Sequence, residues 1–400
     1  MQSSYIIDGV RTPIGRLRGA LSSVRADDLA AIPLKALLEK YPSLDPALID
    51  DVILGCANQA GEDNRNVARM ALLLAGFPHS VPGETVNRLC ASGMSSVVQA
   101  HRAITCGDAQ IVIAGGVEHM TRAPLVMSKS AIPYGGHQEL FDSSFGWRFV
   151  NPNMQALYGT DAMGVTAENL AAKYHIDRND QDAFALWSQQ KASKALASGI
   201  FADEIIPVNI KEGKQVRIFK DDEFIKPETT LEALSALRPA FVKEGSVTAG
   251  NASGINDGAA ALLLASEGIL THCNLKPIAR IVSTSVVGVE PSYMGIGPVG
   301  ASKKALEKAG LTLNQMDIIE INEAFAVQVL ACLRALQIAD DDPRVNPNGG
   351  AIALGHPLGM TGARIILTAA LQLHRKNLRY ALVTMCVGVG QGYAVILEKV

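Results

Sequence analysis

Long basic runs are missing from this chain of 400 residues, in which 36 lysines and arginines face 39 aspartates and glutamates. The formal net charge of -3 argues against nucleic acid or a membrane surface as a partner, because both attract strongly basic proteins. No uninterrupted apolar run approaches the length of a membrane-spanning helix. We therefore expect neither kind of partner, and any basic site for a small anion would have to be local.

Paired cysteines are missing as well. The chain has no CxxC pair and no cysteine–histidine spacing typical of zinc sites, which predicts no metal site and a reducing compartment. The chain does not start with a basic segment followed by an apolar one, and the final Leu-Glu-Lys-Val is not a peroxisomal signal. The expected location is the cytoplasm. The six cysteines are Cys56, Cys90, Cys106, Cys273, Cys332 and Cys386.

Hydrophobic residues make up 48% of the chain and charged residues 19%, which is enough to bury a large core in two or three domain-sized units. Strand and helix patterns alternate. Tyr5 to Ile7 has the pattern of a strand, about Ala26 to Lys40 that of a helix, and Asp50 to Gly55 that of a strand entered from an acidic turn. This alternation predicts an α/β fold with a mainly parallel sheet.

The plan of the first part of the chain recurs near its end. Leu311 to Glu320 resembles Leu44 to Leu54 in its leucine, aspartate and paired aliphatic residues, and each segment is followed by a helix and a buried strand. The spacing from the aspartate to that later strand is 61 positions in the first copy and 64 in the second. We predict an internal duplication.

Between the two copies, from about residue 118 to residue 246, the pattern changes to a loop-rich insertion. It contains one clear helix, Gly164 to Ser198, which a polar stretch at Asp177 to Asp182 would divide in two. A group of basic residues near its end forms either a solvated face or a contact for an anionic cofactor. These residues are Lys211, Lys214, Arg217, Lys220 and Lys226.

Cys90 is the first candidate for chemistry. It lies where an extended run ends and a helix begins, and the residues that follow are mostly small: Ala91, Ser92, Gly93, Ser95 and Ser96. The unpaired N–H groups and the dipole of a helix N-terminus favour a thiolate, and small neighbours leave room for a substrate. A lone cysteine is more often a small buried apolar residue. The assignment therefore depends on His356 and Cys386.

Polar residues occur in three later segments where strands are expected to end, the place where α/β folds build their sites. A nucleophilic cysteine needs a base, usually histidine, although a histidine in Gly-His-Pro is more often a structural turn residue. A fourth segment consists of small residues and is rich in glycine. It either lets backbone amides approach a ligand or makes a tight turn. The segments are Asn322 to Ala326, Gly355 to Gly359, Cys386 to Gly392 and Thr248 to Gly258.

The glycine run Gly388 to Gly392 is not a dinucleotide-binding loop, because an apolar strand follows it where such a loop needs a helix. Taken in order, the motifs of the chain resemble those of the thiolase family over essentially its whole length. The motifs are Arg11 to Gly15, Asn87 to Gly93, Ala114 to Glu118, Thr248 to Gly258, Asn322 to Ala326, Asn348 to Ala353, Gly355 to Gly359 and Cys386 to Gly392.

The resemblance implies an α/β thiolase fold in which two duplicated halves form a five-layered αβαβα arrangement with an inserted loop domain. The N-terminal domain would span residues 1–268, with the loop domain at about 118–246, and the C-terminal domain residues 269–400. Homodimers or homotetramers are expected. Coenzyme A and acyl-CoA would be the partners, with coenzyme A as cosubstrate and no bound cofactor.

The resemblance also implies roles for the reactive residues. Cys90 matches the nucleophile that attacks the 3-keto carbonyl of a 3-oxoacyl-CoA, and His356 matches the base that holds this thiol as a thiolate. Cys386 matches the thiol that protonates the departing acetyl-CoA carbanion and then deprotonates coenzyme A. A pKa not far above neutrality would suit Cys386 in both directions.

Two oxyanion holes are implied in addition. One would use His356 with a water held by Asn322, and the other the backbone N–H groups of Cys90 and Gly388. Ser253 matches a coenzyme A contact. The remaining expected substrate and coenzyme A contacts are Met163, Arg148, Ala249 and Phe325.

Within the family, the histidine that usually precedes Met-Gly in acetoacetyl-CoA thiolases is Ala162 here, which argues against a role limited to acetoacetyl-CoA. Phe145 to Pro152 and Tyr158 to Asp161 resemble the 3-oxoadipyl-CoA thiolases. The distal carboxylate of that substrate would need a cation, and Arg148 is either that cation or a structural arginine. We expect cleavage to succinyl-CoA and acetyl-CoA, with fatty 3-oxoacyl-CoA or acetoacetyl-CoA as alternative substrates.

Two rival functions share this fold. A decarboxylating or extending condensing enzyme would pair its cysteine with two histidines, or with histidine and asparagine, and would lack Cys386. A non-catalytic acyl-CoA or lipid carrier would be expected to lose one of the three reactive side chains. Both rivals disagree with the residues present.

Overall fold

The computed structural model describes residues 2–136 and 138–400. In this part of the chain the strands are β1 (Ser4–Arg11), β2 (Gly15–Arg16), β3 (Asp51–Gly55), β4 (Gly83–Val86), β5 (Ile111–His119), β6 (Leu125–Met127), β7 (Leu140–Asp142), β8 (Val208–Glu212), β9 (Gln215–Phe219), β10 (Asn256–Ser266), β11 (Ala279–Gly288), β12 (Ile318–Ile321), β13 (Tyr380–Val387) and β14 (Gln391–Lys399). The helices are α1 (Ala26–Lys40), α2 (Val67–Leu74), α3 (Ser92–Cys106), α4 (Pro152–Tyr158), α5 (Met163–Tyr174), α6 (Arg178–Ala197), α7 (Leu231–Ser235), α8 (Glu267–Leu270), α9 (Gly297–Ala309), α10 (Ala326–Ala335), α11 (Ala351–Leu354) and α12 (Leu358–Lys376).

One sheet of 10 strands runs through the molecule in the order β12-β13-β14-β11-β1-β10-β5-β3-β4, with β2 beside β10. Strand β3 is parallel to β4 and β5, and β12 is parallel to β13, but the other pairs are antiparallel. The prediction of a mainly parallel sheet is therefore wrong. The last strand of each half is antiparallel to its neighbour in the sheet: β10 to β5 in the first half and β14 to β13 in the second. The insertion connects the first pair, and a short hairpin connects the second.

Helices cover both faces of each half of this sheet. In β5, Val112 belongs to the core shared with α3 and α12, whereas Ile113 belongs to the core shared with α1 and α2. In β13, Val383 faces the same central core and Leu382 faces the core built with α9 and α10. Alternate side chains thus enter different cores. The five-layered fold is confirmed, with α3 and α12 as its central layer.

The two halves repeat each other down to single hydrogen bonds. Asp50 Oδ2 accepts the backbone N–H groups of Gln110 and Ile111, at 2.6 and 3.0 Å, just before β3 and β5 begin side by side. Asp317 Oδ2 accepts the N–H groups that open β13, at 2.8 and 3.0 Å. The aspartates that suggested a duplication hold equivalent strand starts in both copies.

Several predicted elements agree closely with the structure, and two differ. Helix α1 has the predicted bounds, and the long helix of the insertion is divided in two as predicted, although the break lies at His175, with φ +53°, and the second helix already begins at Arg178. Cys386 lies inside β13 and not after it. Within residues 2–136 and 138–400, no helix is both long and apolar enough to cross a bilayer.

A buried ion cluster ties the insertion to the sheet. The guanidinium of Arg11, on β1, donates to Glu204 Oε1 at 2.7 Å and to both carboxylate oxygens of Asp222 at 2.7 and 2.8 Å. All three side chains are buried. Burial of such charges is tolerated only when each finds a well-placed partner, so these bonds fix the insertion against β1.

Four glycines bring the central helices into backbone contact with the sheet. A Cβ atom on Gly93 or Gly116 would overlap the carbonyl oxygen of Gly359, and a Cβ atom on Gly55 would overlap the backbone at the start of α3. The starts of α3 and α12 therefore meet the ends of β3 and β5 with no side chain between them. We call these four residues the glycine crossing.

Candidate active site

Cys90 lies in a tight turn directly before α3. Leu89 has φ +47°, in the left-handed region that residues other than glycine seldom adopt. The Ser92 hydroxyl donates to the carbonyl oxygen of Leu89 at 2.7 Å and accepts the N–H of Arg88 at 2.9 Å. These bonds hold the turn, and the helix begins at Ser92, two residues after Cys90.

Burial and backbone N–H groups act in opposite directions on the Cys90 thiol. Burial is the larger effect and raises its pKa to about 11, although the N–H groups of Gly388 and of Cys90 itself lower the pKa. The backbone N–H groups thus act in the predicted direction, but burial outweighs them and the free protein favours the thiol over the expected thiolate. Loss of hydration outweighs the dipole, but the two N–H groups do converge on the sulfur.

The tautomer of His356 is set by Thr361. The Thr361 hydroxyl donates to the carbonyl oxygen of Pro357 at 2.7 Å, so its oxygen accepts the Nδ1–H of His356, also at 2.7 Å. Nε2 then carries the lone pair and accepts from Nδ2 of Asn322 at 3.4 Å. Burial, followed by the positive charge of Arg364, lowers the imidazole pKa to about 3. The ring is neutral near pH 7 and able to accept a proton.

Asn322, Ser253 and Phe325 are brought together by two paired loops. The N–H of Ser253 donates to the carbonyl oxygen of Ala324 at 3.0 Å, and a β-bridge joins the residue before Ser253 to Phe325. Asn322 also contacts His356, so this loop pair lies beside the imidazole. The Oδ1 atom of Asn322 is buried and accepts no hydrogen bond from the described residues.

Cys386 faces the same site from β13. It lies opposite Gly392 of β14 and is 1% exposed. Burial, followed by the neighbouring Cys90 and Cys332, raises its pKa well above the usual thiol value, so the expected pKa near neutrality is not found. The effect of Cys90 on this pKa places the two thiols close together. In the turn that follows, Val389 has φ +60°, a strained conformation for a β-branched residue.

A cavity of about 280 Å³ opens beside Cys90. Its wall is formed by both halves and by the insertion, and it includes Gly388, Met163, Arg148 and Glu118. Arg148 is half-buried and forms no ion pair within 4.0 Å in residues 2–136 and 138–400. The structure thus brings Cys90 and three further predicted site residues to one cavity.

The other predicted contacts are more scattered. Phe325 packs edge-on against Phe241, with ring centroids 6.1 Å apart, whereas Ala249 is exposed and is not part of the cavity wall. The basic group of the insertion is exposed, and its Arg217 pairs with Glu212 at 2.7 Å. This exposure agrees both with a solvated face and with a contact for an anionic ligand.

Two family models match the chain: "Thiolase, N-terminal domain" over residues 4–268 and "Thiolase, C-terminal domain" over residues 275–399. The chain belongs to the thiolase family. It is 60% identical to the 3-oxoadipyl-CoA/3-oxo-5,6-dehydrosuberyl-CoA thiolase of Escherichia coli, with 100% of each chain covered. It is 58% identical to the beta-ketoadipyl-CoA thiolase of Pseudomonas aeruginosa, with 99% of each covered.

Solved thiolase structures have the same fold. The crystal structure of the Bacillus anthracis acetyl-CoA acetyltransferase matches with a TM-score of 0.92 at 42% identity, covering 100% of this chain and 99% of that chain. Human mitochondrial 3-ketoacyl-CoA thiolase in complex with CoA matches with a TM-score of 0.91 at 41% identity, covering 100% and 98%. The protein is therefore an acyltransferase of the thiolase type.

Three polar residues that hold this thiolase site together were missed by sequence reasoning. Asn256 accepts the N–H of His356 at 2.9 Å, Thr361 fixes the imidazole, and Glu118 accepts three backbone N–H groups at the cavity wall. The available signal was a polar residue inside an apolar stretch, most clearly Glu118 near the end of β5. Such residues are rarely buried unless they are hydrogen-bonded.

Proposed function

We propose that this thiolase cleaves 3-oxoadipyl-CoA with coenzyme A to give succinyl-CoA and acetyl-CoA. The observation that carries the substrate assignment is the half-buried guanidinium of Arg148 in the cavity of Cys90, with no carboxylate within 4.0 Å among the described residues. A dicarboxylic acyl group brings a carboxylate to that cation, whereas a fatty or acetoacetyl group leaves it unpaired. The names of the relatives at 60% and 58% identity support the same substrate.

The first step is attack of the Cys90 sulfur on the C3 carbonyl of the substrate. Since the thiol and the imidazole are both neutral beforehand, the thiol proton moves to Nε2 of His356 as the S–C bond forms. Nε2 is the nitrogen free to accept it because Thr361 holds the Nδ1–H. The C2–C3 bond then breaks, leaving a succinyl thioester on Cys90 and the electron pair on C2 of the acetyl-CoA fragment.

In the second part of the reaction Cys386 moves protons. Its S–H protonates C2 to release acetyl-CoA, and the resulting thiolate takes the proton of coenzyme A, whose sulfur then attacks the thioester. Burial raises the pKa of Cys386, which keeps the proton on this thiol until a strongly basic carbon is present. When succinyl-CoA leaves, the Cys90 sulfur takes back the proton from Nε2 of His356, so both residues return to their starting state.

Negative charge that develops on oxygen needs fixed donors. The N–H groups of Cys90 and Gly388 already lie against the Cys90 sulfur, which supports their use for the thioester oxygen. For the other oxyanion we propose His356 with a water held by Asn322. The Oδ1 atom of Asn322 supports this role, because it is buried and accepts no hydrogen bond from the residues that the structure describes, and such an atom is a suitable partner for a bound water.

The substrate assignment is tested by kcat/KM for 3-oxoadipyl-CoA, acetoacetyl-CoA and a medium-chain 3-oxoacyl-CoA. We expect the diacid to be preferred about tenfold, equal to about 1.4 kcal/mol of transition-state binding. Arg148→Ala should lower kcat/KM for the diacid about tenfold and change acetoacetyl-CoA cleavage less than twofold, and Arg148→Lys should restore part of the loss. Equal losses on all substrates would make Arg148 structural. Unchanged thiolysis by Cys90→Ser would exclude the covalent mechanism.

We also propose that the protein is a homodimer or homotetramer of the cytoplasm. Support comes from β4, which lies at the sheet edge, and from the β6–β7 hairpin, which exposes Leu125, Met127 and Leu140. Light scattering after size exclusion should give the mass of two or four chains. For the domains we propose residues 1–268, with the insertion at about 118–246, and residues 269–400, which the family matches at 4–268 and 275–399 support.

A further inference from the structure

Glu118 is a buried carboxylate that no step of the proposed reaction uses. It lies in the wall of the Cys90 cavity, near the end of β5, and is 2% exposed. Its two oxygens accept three backbone N–H groups, from Ala57 at 3.0 Å, Asn58 at 3.0 Å and Gly359 at 2.8 Å. An anion with this many charge-assisted bonds is strongly fixed in place.

One of these bonds leads to the base. Gly359 is the second residue of α12 and follows His356 by three positions. Its N–H belongs to the first turn of the helix, where backbone donors have no partner within the helix. The Glu118 carboxylate supplies that partner and places a negative charge at the positive end of the helix dipole. The orientation of the segment that carries His356 therefore depends on Glu118.

A second bond leads to the nucleophile. The peptide group that joins Ala57 to Asn58 donates the Asn58 N–H to Glu118 at 3.0 Å, and its carbonyl oxygen, that of Ala57, accepts from Nδ2 of Asn87 at 3.0 Å. Oδ1 of Asn87 in turn accepts the N–H of Leu89 at 2.8 Å. Leu89 is the strained residue directly before Cys90. One carboxylate is thus connected to both reactive residues, which come from different halves of the duplicated fold.

We propose that Glu118 is a positioning residue whose ionised carboxylate sets the placement of Cys90 relative to His356. This inference rests on the proposed function of that pair. Each backbone N–H that binds Glu118 needs a lone pair on a carboxylate oxygen. A group of the same shape that carries an N–H or O–H in place of one of these oxygens therefore loses the hydrogen bond at that position. The predicted consequence is a loss of kcat with little change in substrate binding.

The ionisation of Glu118 gives this role a measurable pH dependence. Burial, the largest effect, raises its pKa to about 7, and the nearby Asp63 adds to this, while the three N–H groups lower it. The titratable groups that face it are Asp63 and Cys56, from the segment after β3, and Cys90. Protonation as the pH falls through 7 places an O–H where an N–H must be accepted, so kcat should fall in the same range. His356, with its pKa of about 3, cannot cause that fall.

The test compares Glu118→Gln with Asp63→Asn. Asp63 is a second buried carboxylate of the same cluster, but it accepts the N–H of Gly61 and does not reach α12. We would measure kcat, the KM for each substrate, the pH profile and the melting temperature, using both 3-oxoadipyl-CoA and acetoacetyl-CoA. Failure of the unmodified enzyme to cleave either substrate would refute the proposed function, whereas the inference about Glu118 is decided by comparing variants.

Glu118→Gln should lose kcat at least tenfold with KM changed less than threefold, and its kcat should no longer fall near pH 7. Glu118→Asp, which keeps the charge but withdraws it by one methylene, should regain part of kcat together with the fall near pH 7. Asp63→Asn should stay within twofold of the unmodified enzyme in kcat. The proposal is overturned if Glu118→Gln keeps its kcat, if its pH profile is unchanged, or if Asp63→Asn loses as much activity for the same loss of melting temperature.

Discussion

Replacing Thr361 by valine removes one oxygen and nearly nothing else, because the two side chains have almost the same shape. The Thr361 oxygen accepts the Nδ1–H of His356 and its proton goes to Pro357, with both contacts at 2.7 Å. In the Thr361→Val protein the Nδ1–H becomes a buried donor without a partner. Leaving such a group unpaired costs about 1–3 kcal/mol. This raises the free energy of the His356 tautomer that leaves Nε2 free.

The expected loss of activity follows from that free energy. Since each 1.4 kcal/mol corresponds to about a factor of ten in rate, kcat should fall roughly 5- to 150-fold. Substrate binding should change little, because Thr361 is not part of the cavity wall. The assay is coenzyme-A-dependent cleavage under saturating substrates, with urea unfolding measured on the same preparations.

The matched control is Thr368→Val on the same helix. Thr368 is also buried, but its hydroxyl donates to Glu204 Oε2 at 2.9 Å, far along α12 from the imidazole. It should lose stability without losing kcat. If Thr361→Val keeps kcat within twofold of the unmodified enzyme, Thr361 does not select the tautomer of His356 and the argument for Nε2 as the base is wrong.

Two further predictions concern the thiol and the buried ion cluster. Because burial raises the pKa of Cys90 to about 11, its thiolate fraction is small near neutrality. Inactivation of the free enzyme by iodoacetamide should therefore accelerate about tenfold per pH unit between roughly pH 7 and 10. A plateau of the inactivation rate below pH 9 would contradict this. Arg11→Ala leaves two buried carboxylates without their cation and should lower the free energy of unfolding by about 3–5 kcal/mol. Arg16→Ala breaks only the exposed pair with Glu223 and should lower the free energy of unfolding by less than about 1 kcal/mol. If urea unfolding gives the same loss for both variants, the buried ion cluster contributes no more to stability than an exposed ion pair.

The internal duplication of the fold could be predicted because it is visible in local patterns of the sequence. An aspartate before a strand, paired aliphatic residues and a following helix occur twice, and Asp50 and Asp317 do hold equivalent strand starts. The direction of the strands could not be predicted in the same way. Whether a strand returns antiparallel depends on which neighbour it meets after a long connection, as with β5 and β10.

The candidate site could likewise be predicted only in part, since some of its properties depend on local sequence and others on packing. Cys90, His356 and Cys386 were predicted from their residue types and their order, and the structure places the two thiols close together and Asn322 beside His356. The directions of their pKa shifts were predicted wrongly or not at all, because hydration depends on every segment that packs around a group. Glu118 was missed as an organising residue since its three donors lie about 60 positions before it and 241 positions after it in the chain.

The glycine crossing separates two kinds of change that this enzyme can undergo. At Gly93, Gly116 and Gly359 even a methyl group would strike backbone, so a side chain at any of these positions would displace the starts of α3 and α12, which directly follow Cys90 and His356. The cavity wall contributed by the insertion carries ordinary side chains, such as Arg148 and Met163, that are free to differ in size and charge. Substitutions in the insertion can therefore reshape this part of the acyl-group cavity without disturbing the backbone contacts that place the reactive residues.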